Sequence, residues 1–314
     1  MQPLIRTGKK LSTDTGVSVD QGFIAHFQVP AAKAVAASAA GVLAATNLGA
    51  AVQTITTGLT NPAVPRALSI VGNVSGITGN VVITGTNYAR ETITETIALN
   101  GTTTVHGAKA FKTVTSVTLP VQVHTPVAQV ETATAAGTVT TAGNAAVTVT
   151  SVLFEENIVV DVPVALNDNA AAIALAIRTA LAADADIAEH FTVSGATDKV
   201  ILTAKTPAAN DATLNIAIDD GTGEGASEGV TTAATSANTT AGVPYDTVSV
   251  GWNDKLGLPY QLARNTVIPG MTFLDNAKET TEPTVTTSTT ALESNTIDLN
   301  SALNGKAVDV YLVV

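Results

Sequence analysis

Four histidines, one pair of adjacent glutamates and one acidic run spaced by glycine are the places where this sequence could do chemistry. His26, His106, His124 and His190 are the side chains able to exchange protons near neutral pH or to bind a transition metal. None lies within five residues of another, and neither an HxH nor an HExxH spacing occurs to set two rings on one face. Each therefore reads as a surface or strand-end residue. Glu155 and Glu156 put two carboxylates side by side at a strand turn, but adjacent strand residues point apart, which argues against a shared proton. Asp219-Asp220-Gly221-Thr222-Gly223-Glu224 alternates hard oxygen donors with glycine as calcium loops do, without the spacing of an EF-hand. It reads as a solvated loop. The glycines at 72, 76 and 79 lack the lysine and the following helix of a phosphate loop, and no Gly-x-Ser-x-Gly elbow is present. With no cysteine, disulfides, thiolate nucleophiles and thiolate zinc sites are excluded. The expectation is a chain that is not an enzyme, with no catalytic residue, metal or cofactor.

Two features remain as candidates for binding. Trp252 and Tyr260 could form an aromatic sugar platform, though a single tryptophan is more simply a core plug. Threonine-rich strands could present flat polar faces to glycans or ice, though such ladders are usually plain exposed β surface.

The elements that would position these residues are mostly strands. Between Asn61 and Pro120, short alternating runs at 68–74, 80–84, 91–99 and 111–119 are cut by glycine and asparagine. Asn100-Gly101 between two such runs predicts a tight hairpin, because a type I′ turn needs positive φ at both central residues. Thr92, Thr94 and Thr96 alternate with Ile93, Glu95 and Ile97, so Ile93, Ile97 and Leu99 belong to a buried face and the threonines to a wet one. This predicts an antiparallel sheet packed on one side.

A chain of 314 residues suggests two domains. Apolar residues make up 45%, but aromatics only 4%, so the fold needs many small contacts or a partner surface. Threonine is about one residue in six and charged residues are 13%, a low-charge, strand-favouring mixture. No apolar segment follows the basic residues Arg6, Lys9 and Lys10, which argues against a secretion signal, and the alanine-rich stretch 31–52 is too polar for a membrane span. The net charge of −11 lies entirely in one segment. Residues 128–242 hold 14 acidic and 3 basic residues, and the remainder holds 12 of each. This argues for a separately exposed domain there and against nucleic-acid binding through it, since phosphate contacts need lysine and arginine.

Residues 1–30 read as an extended arm anchored by Phe23, Ile24 and Phe27, which pack on their own sheet or reach a neighbouring subunit. Residues 31–46 suit a short helix by propensity, with a strand as the alternative. Residues 137–218 form a separate pattern: strands at 144–152 and 157–166, a helix carrying Ile173, Ile177 and Leu181 behind a cap at 167–169, then strands at 191–193, 200–203 and 214–218. The helix ends near Ala183, where Asp184 and Asp186 oppose the helix dipole. Residues 219–242 read as a mobile linker. Ile297, Leu299, Val308, Val310 and Leu312 predict two closing strands. The fold class is therefore mainly β, an antiparallel β-sandwich-like host domain (1–127 with 243–314) carrying an inserted small α+β domain (128–242) that projects.

GNVSGITGNVVITGTNYARETITETIALNG, followed by KAFKTVTSVTLP, resembles a module of structural proteins of tailed bacteriophages, over roughly 60 of the 314 residues. Residues 138–218, with VPVALNDNAAAIALAIRTAL and FTVSGATDKVILTAKTPAANDATLNIAI, resemble a small module inserted into such proteins as an ornament. The resemblance implies a virion structural protein, first of all a head decoration (cement) protein on the outer surface of the capsid. Its implied partners are the major capsid protein and further copies of itself, as a homotrimer, with neither nucleic acid nor membrane. Phe23, Ile24, Phe27, Trp252 and Tyr260 are the expected contact residues. A tail-tube or head-fibre protein, or a carbohydrate-binding adhesive module, are the alternatives.

Overall fold

Alternation with a period of two fixes most of this chain as antiparallel strands, and the breaks fall where glycine and asparagine allow the chain to turn. The computed structural model describes residues 5–6, 11–12, 18–19, 23–220, 230–232, 236–260 and 266–313. The chain divides into a host unit, residues 1–123 with 246–314, and an inserted unit, residues 124–245. The fold is mainly β, with an α+β unit inserted into a sandwich-like host.

Three larger sheets make up most of the described host unit, beside a two-stranded ribbon of Leu11–Ser12 with Ser18–Val19. A four-stranded sheet runs in the order Gln53–Ile55, Thr113–Leu119, Asn80–Thr86, Thr92–Ala98. A six-stranded sheet contains Val105–Phe111, Arg66–Gly72 and the long strand Thr247–Gly257, which pairs with Ser38–Asn47 over one half and with Thr296–Asp298 over the other. The two sheets share a core that includes Leu68, Ile70, Ile83, Phe111, Val117 and Val250. In a third sheet, Val308–Val313 lies between Phe23–Val29 and Thr266–Leu274. It closes a second core around Phe27, Leu256, Ile297, Val308 and Val310. As expected, Ile93, Ile97 and Leu99 are buried and Thr92, Thr94 and Thr96 exposed.

Several local expectations are corrected. Asn100-Gly101 is not a hairpin between neighbours. Gly101 has φ +55, but Asn100 has no positive φ, and the chain crosses there from the four-stranded to the six-stranded sheet, where Val105–Phe111 pairs with Arg66–Gly72. Residues 31–46 do not make an α-helix. Ala31–Lys33 is a single 3-10 turn and Ser38–Asn47 a strand. Too few bulky residues recur at helical spacing to bury, whereas pairing with Thr247–Gly257 buries Val42 and Leu43. The arm does not extend over residues 23–29, which are hydrogen-bonded to Val308–Val313 from Val29↔Val308 to Ile24↔Val313. The rest of the expected arm lies largely outside the described residues.

The inserted unit packs two sheets around helix α1, Ala170–Ala183. Phe191–Ser194, Lys199–Ala204 and Val130–Gly137 line up in one sheet, with Val230–Thr232 and Ala237–Thr240 on the far side of Val130–Gly137. Ile158–Val164, Gly143–Thr150 and Asn215–Asp219 form the other. Asn169 caps α1, its Oδ1 accepting from Ala171 N and Ala172 N at 3.1 Å each. Ile173, Ala174, Ile177 and Leu181 are fully buried. The aspartates after α1 are not a misplaced C-terminus. Asp184 caps a second helix, α2, Ala185–His190, by accepting from Asp186 N and Ile187 N. The expected linker is partly structured, in the strands Val230–Thr232 and Ala237–Thr240. The two ends of the inserted unit meet in a reciprocal pair: Val127 N donates to Val243 O and Val243 N to Val127 O, both at 2.9 Å.

Candidate functional site

Register in the four-stranded sheet assembles a flat hydroxyl face. Thr54 lies opposite Thr118, Ser116 opposite Thr84, Thr84 opposite Thr94, and Thr86 between Thr113 and Thr92. Hydroxyl contacts cross the strands, with Oγ1 atoms 3.0 Å apart for Thr54 and Thr118, 2.6 Å for Thr86 and Thr113, and 3.4 Å for Thr84 and Thr94. Because the period is two, most inward apolar residues of these strands alternate with outward hydroxyls, interrupted by Val82 and Ala98. The result is a polar, uncharged surface.

Glu95 occupies an inward position of this same sheet, and its neighbours show why. Val105–Phe111 bulges against Arg66–Gly72 between His106 and Ala110, freeing backbone donors. Glu95 Oε1 accepts from Ala108 N at 2.6 Å and Lys109 N at 3.2 Å, while Lys109 Nζ donates to Thr94 O at 3.0 Å. The carboxylate thus fastens one sheet of the sandwich to the edge of the other. A side chain at Gly107 would put its Cβ 2.5 Å from Glu95 Oε2, so only glycine allows the approach. Glu95 Oε2 is buried without a hydrogen-bond partner. Burial pushes this carboxyl above its ordinary value, against the backbone bonds and the charges of Lys109 and Lys255. A folded-state pKa raised above the unfolded one gives stability that is complete below the ordinary glutamate value of 4.5 and is lost as pH rises through the folded value. Glu95→Gln is therefore expected to be more stable than the wild type at neutral pH, with the gap shrinking as pH falls towards 4.5. Urea titrations of both proteins across that range check it, and a constant gap contradicts it.

Arg66 is fully buried, with Nη2 2.8 Å from Asp254 Oδ1 and Nη1 2.7 Å from Val35 O. Burial lowers the affinity of its guanidinium for the proton, and the charge and hydrogen bond of Asp254 oppose that effect. The pair holds the segment before Ser38–Asn47 against the six-stranded sheet, and serves the fold.

The residues singled out from the sequence do not converge. His26 Nε2 is 2.8 Å from Asp309 Oδ1, and its ring stacks on Tyr311 with centroids 4.5 Å apart. His106 Nδ1 is 3.3 Å from Asn253 Nδ2. His190 ends α2, with its ring centroid 6.0 Å from that of Phe154. Glu155 and Glu156 are exposed in the turn before Ile158–Val164. Asp219 and Asp220 fold back on the backbone, accepting from Asp220 N and Val230 N; the remainder of that run lies outside the described residues. Among the described residues no group of three or more His, Asp or Glu side chains is placed to hold a metal. Among them also, no helix is long and apolar enough to cross a membrane.

The five expected contact residues have different fates. Phe27 belongs to a core, and Ile24 is half-buried. Phe23 pairs with Arg6 through the backbone, and its side chain lies outside what is described. Trp252 donates Nε1–H to Ala36 O at 3.0 Å and packs over Gly41, where an added Cβ would lie 2.7 Å from the ring. It is a plug. Tyr260 is 63% exposed, and its neighbour is Tyr88, which sequence reasoning missed. Burial first, and Tyr260 second, push the Tyr88 phenol up, and Lys112 Nζ sits 5.9 Å from the Tyr88 ring centre. Nothing in the spacing of residues 88, 112 and 260 announces that cluster.

No protein-family model matches the sequence, and no curated protein matches it. Two solved structures show a slight likeness. One is a two-domain piece of the flagellar cap protein FliD from Escherichia coli, 14% identical, covering 84% of this chain and 100% of that one, with a TM-score of 0.24. The other is a longer piece of the same protein, 15% identical with a TM-score of 0.24, of which this chain spans 54% while 83% of this chain is covered. Superpositions of that quality establish no common fold.

Proposed function

We propose that this chain is a non-enzymatic structural protein of a tailed-phage particle, decorating the outer surface of the head as a homo-oligomer. The observation that carries this reading is how charge is divided between the fold units. The host unit is neutral and presents a flat hydroxyl face, while the inserted unit holds 14 acidic and 3 basic residues. A neutral β face suits docking on a protein shell through many modest contacts, multiplied by copy number. An acidic module is better solvated when it points away. Tyr260, Ile24 and the threonine rows are the host-unit residues offered to that contact.

Sedimentation with mature heads tests the reading. The full chain is expected to co-sediment with heads, and a chain lacking residues 128–242 is expected to do so equally. Failure of the full chain to bind heads while it binds tails would reassign it to the tail. Because residues 23–29 pair with the last described strand, removal of residues 1–22, and not 1–28, tests the role of the arm.

A further inference from the structure

The inserted unit carries a groove that nothing above employs. Two neighbouring hollows, of about 350 Å³ and about 510 Å³, share Leu153 and His190 in their walls. The floor of the first is apolar, with Phe191 and Leu214 buried. At its mouth Val152 is 70% and Leu153 50% exposed, so two aliphatic side chains stand in water beside an apolar hollow. The rim is rigid. Asp211 accepts from Ser151 Oγ and Val152 N at 2.9 Å, and from Thr213 N and Oγ1 at 2.8 and 2.7 Å. Burial pushes the Asp211 carboxyl up, but the bonds from Thr213, Val152 and Ser151 outweigh it and hold it below the usual carboxylate range. Gln129, itself buried, exchanges two bonds with the Asp211 backbone, 2.9 Å to its O and 2.7 Å from its N. These groups are spent on shape, and Lys205 Nζ is spent on Ala188 O.

The charge around the hollows is predominantly negative, with Lys205 as the one lysine in the wall of the first. Glu155, Glu156 and Asp186 line the second hollow and Glu189 the first, and all four are exposed. A preformed apolar slot edged by exposed carboxylates complements a chain segment in which an aliphatic or aromatic side chain is flanked by lysine or arginine. It repels anionic lipid surfaces and nucleic acid. We infer that this groove docks a basic, amphipathic segment of a partner protein, with one apolar side chain entering beside Leu153 and its basic neighbours meeting Glu155 and Glu156. The inference does not depend on where the host unit attaches, since it concerns the inserted unit alone.

Fluorescence anisotropy with the full chain and three labelled peptides of equal length decides it: leucine with lysine, serine with lysine, and leucine with glutamate. The leucine–lysine peptide is expected to bind at least tenfold more tightly than either other, and more weakly as salt rises. Leu153→Ser and the double variant Glu155→Lys/Glu156→Lys are each expected to weaken it at least tenfold. These side chains are exposed, and unchanged circular dichroism confirms that the variants fold. Equal binding of the serine–lysine peptide would reduce the effect to diffuse charge attraction and overturn the groove. Equal binding of the leucine–glutamate peptide would overturn the charge argument. Unaltered binding by both variants would place the site elsewhere, and binding to anionic vesicles would replace a protein partner with a membrane.

Discussion

Asp254→Ala is expected to destabilise the host unit by about 3–5 kcal/mol, a large part of the stability of an ordinary domain. Asp254 is the carboxylate hydrogen-bonded to this fully buried guanidinium, and its removal leaves the bond from Arg66 Nη1 to Val35 O. The cost comes from stranding a buried charge more than from losing an attraction. Replacing both partners by apolar residues of similar size, Arg66→Met with Asp254→Leu, is accordingly expected to fall within about 1 kcal/mol of the wild type or above it. Trp252, the only tryptophan, packs against the host core, so its fluorescence during urea unfolding reports this unit selectively. A single-variant loss below about 1 kcal/mol would mean that Arg66 finds water or another acceptor when Asp254 is gone.

Ile177→Ala is expected to cost the inserted unit about 2–5 kcal/mol, through lost transfer energy and the cavity left behind. Ile177 is fully buried in the middle of α1, among residues from both sheets of that unit. Leu175, two residues earlier, is 58% exposed, and Leu175→Ala is expected to change stability by less than about 0.5 kcal/mol. Far-UV circular dichroism follows the helices, which among the described residues lie in this unit apart from two 3-10 turns. The transition it records should shift in Ile177→Ala while the Trp252 transition stays nearly in place, because the cores are separate clusters. Equal shifts in both signals would show that the two units unfold together.

Much of this architecture can be read from residue order alone, and the reason is the period-two pattern. Thr92–Ala98 and Asn80–Thr86 announce themselves because inward and outward residues differ sharply in type. The cap and spacing of α1 are equally plain, since Asn169 precedes Ile173 and Ile177 at the distances a helix requires. Val105–Phe111 is hidden because its sequence, VHGAKAF, interrupts alternation with Gly107 and a bulge. Val130–Gly137 is hidden because alanines and threonines at alternate positions, ETATAA, carry little contrast in hydropathy. Ser38–Asn47 was misleading for a related reason: alanine favours a helix locally, and only pairing with a strand two hundred residues away decides otherwise. Glu95 did leave a signal, as a charge at an inward position of an otherwise regular strand. The groove left none, because its walls come from segments near 129, 152, 190, 205 and 214 that are joined only by folding.

The reciprocal bond between Val127 and Val243 has a consequence for the cost of carrying so large an insertion. A floppy connection of over a hundred residues must pay chain entropy whenever its ends are held together, and relative to a four-residue turn that penalty is about 3 kcal/mol. Here the ends are already joined inside the inserted unit. To the host strands on either side, the insertion behaves as a short tether, so its length is thermodynamically almost invisible to them. Modules of other sizes with similarly closed ends should be exchangeable at this point without altering host stability.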